Sequence, residues 1–240
     1  MSKSDIKIDC IVITYALADD LRNLVVAVNT PNIRWQIYQH SDNEAVEAVI
    51  KELMFGESIA GNLNMTVYSY KQNRGLSTSW NEGIINAYAN GADVAIILND
   101  DLLPGPDDVQ KVAQAAMDHP ECGIIKCMGT DLRSNSWTPM EYGCTAITKL
   151  GWDVVGCFDE NITPIYWEDI DHGKRLQEAG LPVFIVQDTS AVHAGSKTSV
   201  TEPDGVNKAQ RSYDKNMDYY VMKWGGTHHS GEKYKHPFND

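Results

Sequence analysis

Asp93-Val94-Ala95-Ile96-Ile97-Leu98-Asn99-Asp100-Asp101 places five apolar residues ahead of an asparagine and two acids. The run is too short for a free-standing helix and rich in β-formers, so it reads as a buried strand with acids at its tip. In an open α/β sheet a ligand sits outside the carboxyl ends of the strands, where acids can hold a divalent cation against an anionic ligand. A solvated turn before Pro104-Gly105-Pro106 would leave the same local pattern, so the flanking sequence has to decide.

Toward the N terminus, strand and helix patterns alternate. Residues 10–14 form a first strand, 17–28 carry apolar residues at helical spacing up to Thr30-Pro31, 35–38 form a second strand, 44–55 a helix and 65–70 a third strand. Helices between strands imply parallel pairing. A polar, small-residue segment, Asn73-Arg74-Gly75-Leu76-Ser77-Thr78-Ser79-Trp80-Asn81-Glu82-Gly83, then leads into a helix that runs through Ala89. Its glycines allow close backbone approach, and free N–H groups at a helix start suit a phosphate, although polar helix starts are common.

Toward the C terminus, 107–117 read as an amphipathic helix, and 123–128 and 143–148 as two more strands. The polar loop 133–139 between those strands carries Trp137, a candidate floor for an acceptor. Tyr166-Trp167-Glu168-Asp169-Ile170-Asp171 opens a helix that Gly180 ends. Acids in a first helical turn are ordinary capping chemistry. Here, however, two carboxylates stand directly beside flat rings suited to sugars, and a partly buried carboxylate can act as a general base. Residues 183–186 form another strand, followed by His193, a structural residue or a metal ligand. The stretch 197–207 reads as a mobile loop, 210–224 as a last helix, and the tail beyond it, with His228, His229 and His236, shows no apolar pattern.

With 240 residues the chain fits one sizeable α/β domain with a central, mostly parallel sheet flanked by helices. No run approaches the roughly 18 apolar residues of a membrane helix, and the first nine residues show no signal-peptide pattern, so a cytoplasmic protein is expected. The five cysteines, odd in number and without Cys-x-x-Cys spacing, read as reduced and mostly buried thiols. Lys and Arg number 20 against 33 Asp and Glu, and the net charge of −13 argues against broad phosphate-backbone or anionic-membrane binding while leaving room for a local basic groove.

In order and spacing these motifs resemble the family 2 glycosyltransferases of the GT-A fold, especially rhamnosyltransferase-like members. Asn73-x-Gly75-x-Ser77-x-Ser79-x-Asn81-x-Gly83 is similar to their nucleotide-side segment, and Asn99-Asp100-Asp101 stands where they carry Asp-x-Asp. Residues 143–160, ending Phe158-Asp159-Glu160, Trp167-Glu168-Asp169-x-Asp171, His193 and residues 219–226 match further family segments. The resemblance covers 9–226. It implies a single domain over 1–226, with a nucleotide-binding half (1–102) and an acceptor half (103–226), followed by a tail (227–240).

It further implies an inverting transfer of a sugar from a nucleoside diphosphate to a hydroxyl of a glycan or other acceptor; the donor base stays open, with UDP- or TDP-linked donors expected ahead of GDP-linked ones. Thr14, Tyr15, Asp42, Asn73, Gly75, Asn81, Asn99, Asp100 and Asp101 would serve the donor. Asp101 and His193 would hold Mn²⁺ or Mg²⁺, Asp169 would be the base with Glu168 orienting the acceptor or supporting Asp169, and Trp137, Tyr166 and Trp167 would stack on sugar rings. Two departures stand out. Asn99 replaces the first acid of Asp-x-Asp, and Gln39-His40-Ser41-Asp42 follows the second strand, where the family usually places an acid that reads the base or ribose. Three rivals remain: a non-catalytic relative that binds a nucleotide sugar or glycan, a transferase acting on modified DNA bases, and a sugar-phosphate nucleotidyltransferase. The last needs a glycine-rich loop after the first strand, and Thr14-Tyr15-Ala16-Leu17-Ala18-Asp19 has no glycine.

Overall fold

The computed structural model describes residues 6–28, 30–56, 63–195, 197–198 and 204–227. The tail histidines and part of the loop expected over 197–207 lie outside the described residues. Strand β1 (Ile8–Thr14) is buried at every position, as a central strand covered on both faces must be. Around it, β2 (Ile33–Gln39) and β4 (Val94–Asn99) pair in parallel, and β3 (Asn64–Ser69) adds to β2 as an edge. The crossovers are α1 (Ala18–Ala27), α2 (Glu44–Phe55) and α3 (Leu76–Ala89). Asn43 starts α2 by accepting the N–H groups of Ala45 and Val46.

After β4 the chain adds β5 (Leu102–Leu103), α4 (Asp108–Asp118), β6 (Ile124–Asp131), β7 (Ser136–Pro139), a 3₁₀ turn (Glu141–Gly143), β8 (Cys144–Ile147), α5 (Lys149–Val155), α6 (Glu168–Glu178), β9 (Val183–His193) and α7 (Gly205–Trp224). The strand order is β3-β2-β1-β4-β8-β6-β9-β5, with β7 beside β6. The sheet is parallel from β3 to β4 and mixed beyond it, because β8 runs antiparallel to both β4 and β6. A parallel return from β6 to β8 would need a crossover, whereas the chain folds back through β7 as a hairpin.

Several boundaries differ from the expectation. The polar loop at 133–139 is partly β7. Strand β9 continues to His193 instead of ending at 186, its polar half held by pairing with β6 across a bulge, where the Thr189 hydroxyl bonds both N–H and C=O of Met128. Helix α7 begins at Gly205 rather than near 210. Gly205 and Asn207 are weak helix formers, and Asp204 fixes the start by accepting from Asn207 and Arg211.

Two apolar clusters fill the faces of the sheet, one around Val12, Leu24, Ile37 and Val112, the other around Ile11, Trp80, Ile97 and Phe158. A third joins Ile162 and Trp167 to Tyr220 and Trp224 of α7. All five cysteines are free thiols, and four are buried. Among the described residues no helix is long and apolar enough to cross a membrane.

Candidate active site

A cleft of about 620 Å³ opens at the carboxyl ends of β1, β4 and β6, roofed by the start of α7. The acids after β4 split their roles. Asp101 Oδ1 lies 3.0 Å from His193 Nε2, and its Oδ2 accepts the Lys197 N–H at 3.3 Å. They meet because Leu102 of β5 pairs with His193 of β9, although the two partners lie 92 positions apart in sequence. Burial works against ionised Asp101, but the bond and charge of His193 and the Lys197 N–H hold its carboxyl below the usual range. Asp100 also lines the cleft but is largely buried, and burial, reinforced by the charge of Asp101, pushes it up to about 7. Asn99 Nδ2 stands 3.4 Å from His193 Nε2, and Asp131 Oδ2 lies 3.9 Å from His193 Nδ1.

Asp131, at the tip of β6, was not foreseen, because the sequence pattern ended that strand at 128. It accepts the N–H groups of Arg133 and Ser134 at 2.8 and 3.1 Å. As a test of fit to a divalent cation, the corner offers one carboxylate and one imidazole at hydrogen-bond distance, donors that Mn²⁺ accepts. Among the described residues no group of three or more His, Cys, Asp or Glu side chains is set to enclose an ion. Such an ion would therefore complete its shell from ligand oxygens and water.

Residues expected at the donor divide into two groups. Tyr15 and Asn73 line the cleft together with Ile13, Leu76 and His40. Asp42 is exposed and outside the cleft, and Thr14 is buried without lining it. In their place His40 enters, 1 % exposed, with Nε2 2.7 Å from the Ser79 hydroxyl. Burial lowers its pKa to about 4, so the ring is neutral at pH 7.

Gly75 and Asn81 hold the scaffold. Gly75 has φ of +84°, and a Cβ there would stand 2.5 Å from Thr163 Oγ1. Asn81 Nδ2 donates to Phe158 O and Glu160 Oε1, both at 2.9 Å, and its Oδ1 accepts from Phe158 N at 2.8 Å. This clasp ties α3 to the segment leading into α6.

That segment aims the acids. Tyr166 and Trp167 have φ of +71° and +78°, a region that costs non-glycine residues about 1–3 kcal/mol each. The corner is pinned by α7: Ser212 Oγ donates to Ile165 O at 2.7 Å, and Asn216 Nδ2 to Ile165 O and Tyr166 O at 2.9 and 3.0 Å. Glu168 and Asp169 therefore start α6 facing the cleft. Burial raises both carboxyls, Glu168 further, and each is disfavoured by a neighbouring acid, Asp169 for Glu168 and Glu141 for Asp169.

The structure separates the three aromatic residues expected at the acceptor. Tyr166 lines the cleft. Trp167 is only 2 % exposed and packs between Tyr213 and Tyr220, so its ring offers no face to a ligand. Trp137 is exposed on β7 but does not line the cleft; its neighbour Thr138 does, as alternation along a strand requires.

Four cleft residues, Glu141, Tyr142, Lys208 and Ser212, carried no sequence signal. Tyr142 donates to or accepts from buried His172 Nδ1 at 2.7 Å, and His172 stacks on Phe158. Burial, with the charges of Arg175 and Lys126, lowers His172 to about 3. A neutral native histidine costs stability once the unfolded chain takes up protons, so its contribution is full above about pH 6.5 and shrinks as pH falls toward 3. Relative to His172→Gln, the wild type should lose about 1.4 kcal/mol per pH unit below pH 6.5 in urea unfolding. Equal pH slopes would refute the neutral ring.

The sheet order and the cleft at its strand ends are those of the GT-A glycosyltransferases. A mannosyltransferase from Pyrobaculum calidifontis solved with GDP-Man and Mn²⁺ superposes with TM-score 0.63 at 13% identity, covering 90% of this chain and 64% of that one. GalNAc-T7, solved with UDP, GalNAc and Mn²⁺, gives 0.58 at 11% identity, covering 91% and 48%. The chain thus spans about two thirds and one half of these two structures. No curated protein matches it in sequence. The family profile described as glycosyl transferase family 2 matches residues 9–169, and the chain belongs to that family.

Proposed function

We propose that the protein transfers a sugar from a nucleoside-diphosphate sugar to an acceptor hydroxyl of a glycan, with inversion. The observation that carries this reading is the convergence on one cleft of the Asp101–His193 pair and the Glu168–Asp169 pair. Asp101 and His193 would hold a Mn²⁺ or Mg²⁺ at the diphosphate end of the cleft, where it would supply charge to offset that growing on the leaving group. Asp169 takes the proton of the acceptor hydroxyl as its oxygen attacks the anomeric carbon. The bond from that carbon to the diphosphate breaks, and its electron pair leaves with the diphosphate. One base and one displacement invert the centre.

At the base end of the cleft, with Tyr15, His40 and Asn73, none of the lining residues from β1 to α3 is a carboxylate among the described residues. A uracil or thymine imide, one N–H between two carbonyls, suits such neutral partners. Guanine presents paired N–H donors that favour a carboxylate, so UDP- or TDP-linked donors are preferred over GDP-linked ones.

The test is thermal unfolding with UDP, TDP and GDP, each with Mn²⁺, Mg²⁺ or EDTA. A ligand at a hundred times its Kd should stabilise by about 2.7 kcal/mol. Asp101→Ala should abolish the metal-dependent part. No stabilisation by any nucleotide would overturn the reading.

A further inference from the structure

Glu168 is 5 % exposed, and among the described residues no donor reaches its Oε2, although the side chain lines the cleft. An ionised carboxylate in that position would be a buried charge without a counterion. The cations that act on its α6 neighbours pair with other acids: Lys126 with Glu141 at 2.5 Å, Arg175 with Asp171 at 3.0 Å, and Lys223 with Asp159 and Asp171. Lys208 of α7 lines the same cleft and forms no ion pair with Glu168. His172, one turn along α6, is neutral and bonded to Tyr142, and Asp169 next in sequence adds a like charge.

We infer that Glu168 keeps its proton at neutral pH and donates a hydrogen bond to a second oxygen of the acceptor, while Asp169 alone is ionised. Resting on the transferase reading, this assigns opposite protonation states to adjacent carboxyls that line one cleft. It also defines the acceptor as one presenting an oxygen acceptor close to the attacking hydroxyl, as a sugar diol does. The burial of Glu168 and the repulsion from Asp169 both favour the neutral form.

Urea unfolding of the full chain tests the proton without any ligand. An unfolded Glu ionises near pH 4.3, so a Glu168 still protonated in the native state makes the wild type lose stability as pH rises, and Glu168→Gln does not. The stability gap in favour of Glu168→Gln should widen from about pH 5 to about pH 8. A flat gap overturns the inference and leaves the transferase reading standing.

Transfer from UDP- or TDP-sugars to a panel of p-nitrophenyl glycosides gives the second readout. Glu168→Leu, which cannot donate, should raise the acceptor KM about tenfold more than Glu168→Gln, whose amide N–H can. A Glu168→Gln variant as inactive as Asp169→Asn overturns the inference. A widening gap in a wild type that turns over no donor overturns the transferase reading and the acceptor role with it.

Discussion

Asp169→Asn is expected to lower kcat by about 10²–10⁴-fold, the usual contribution of a positioned general base, while nucleotide-dependent thermal stabilisation persists. The amide keeps the shape of the side chain and its N-terminal position on α6, where Oδ1 accepts the Ile170 N–H at 2.8 Å, but it takes no proton. The Asp101–His193 corner that would hold a divalent cation at the diphosphate stands on other strands and is untouched. Burial first, and then the charge of Glu141, raise Asp169, with Lys126 opposing. The acid limb of kcat/KM should therefore lie above the ordinary carboxylate range, since Asp169 must be ionised to act. Normal turnover by Asp169→Asn would end the assignment, and loss of nucleotide stabilisation would show that the variant had disturbed more than the base.

The second large effect is structural. Lys223 of α7 bridges Asp159 Oδ2 at 2.8 Å and Asp171 Oδ1 at 2.7 Å, with its side chain only 7% exposed. Burial would raise Asp159, yet Lys223 and the Asn161 N–H hold it at about 2. Trp224 Nε1 adds a bond to Asp171 at 2.8 Å, and Tyr219 one to Asp159 at 2.9 Å. Removing one partner of a buried ion pair leaves an uncompensated charge and costs about 3–5 kcal/mol. Lys223→Met should lose stability of that order in denaturant unfolding. Transfer should fall as well, because α7 pins the strained corner before Glu168 and Asp169. A loss under about 1 kcal/mol would show that the apolar cluster alone seats α7.

The run 94–98 and its acids announced β4 and the cleft end, since five apolar residues without helical period have few other fates. The acids at 168 and 169 could be placed at a helix start. Asn81, Gly75, Asp159 and Asp171 belong to recognisable motifs, but the motif does not say whether a side chain faces a ligand or clasps another segment. In the structure Asn81, Asp159 and Asp171 clasp other segments, while Gly75 makes room for one.

Local order along the chain, the alternation of strands and helices up to β4, and the acidic surface balance follow from periods of two and 3.6 and from turn residues, all of which report on near neighbours. The antiparallel insertion of β8, the meeting of Asp101 with His193, the burial of Trp167, and His40 rather than Asp42 in the cleft depend on strand register and on α7 closing over the corner. Those outcomes join residues tens of positions apart. A side chain's partners across a sheet or under a distant helix are set by packing of the whole domain, which no local period encodes.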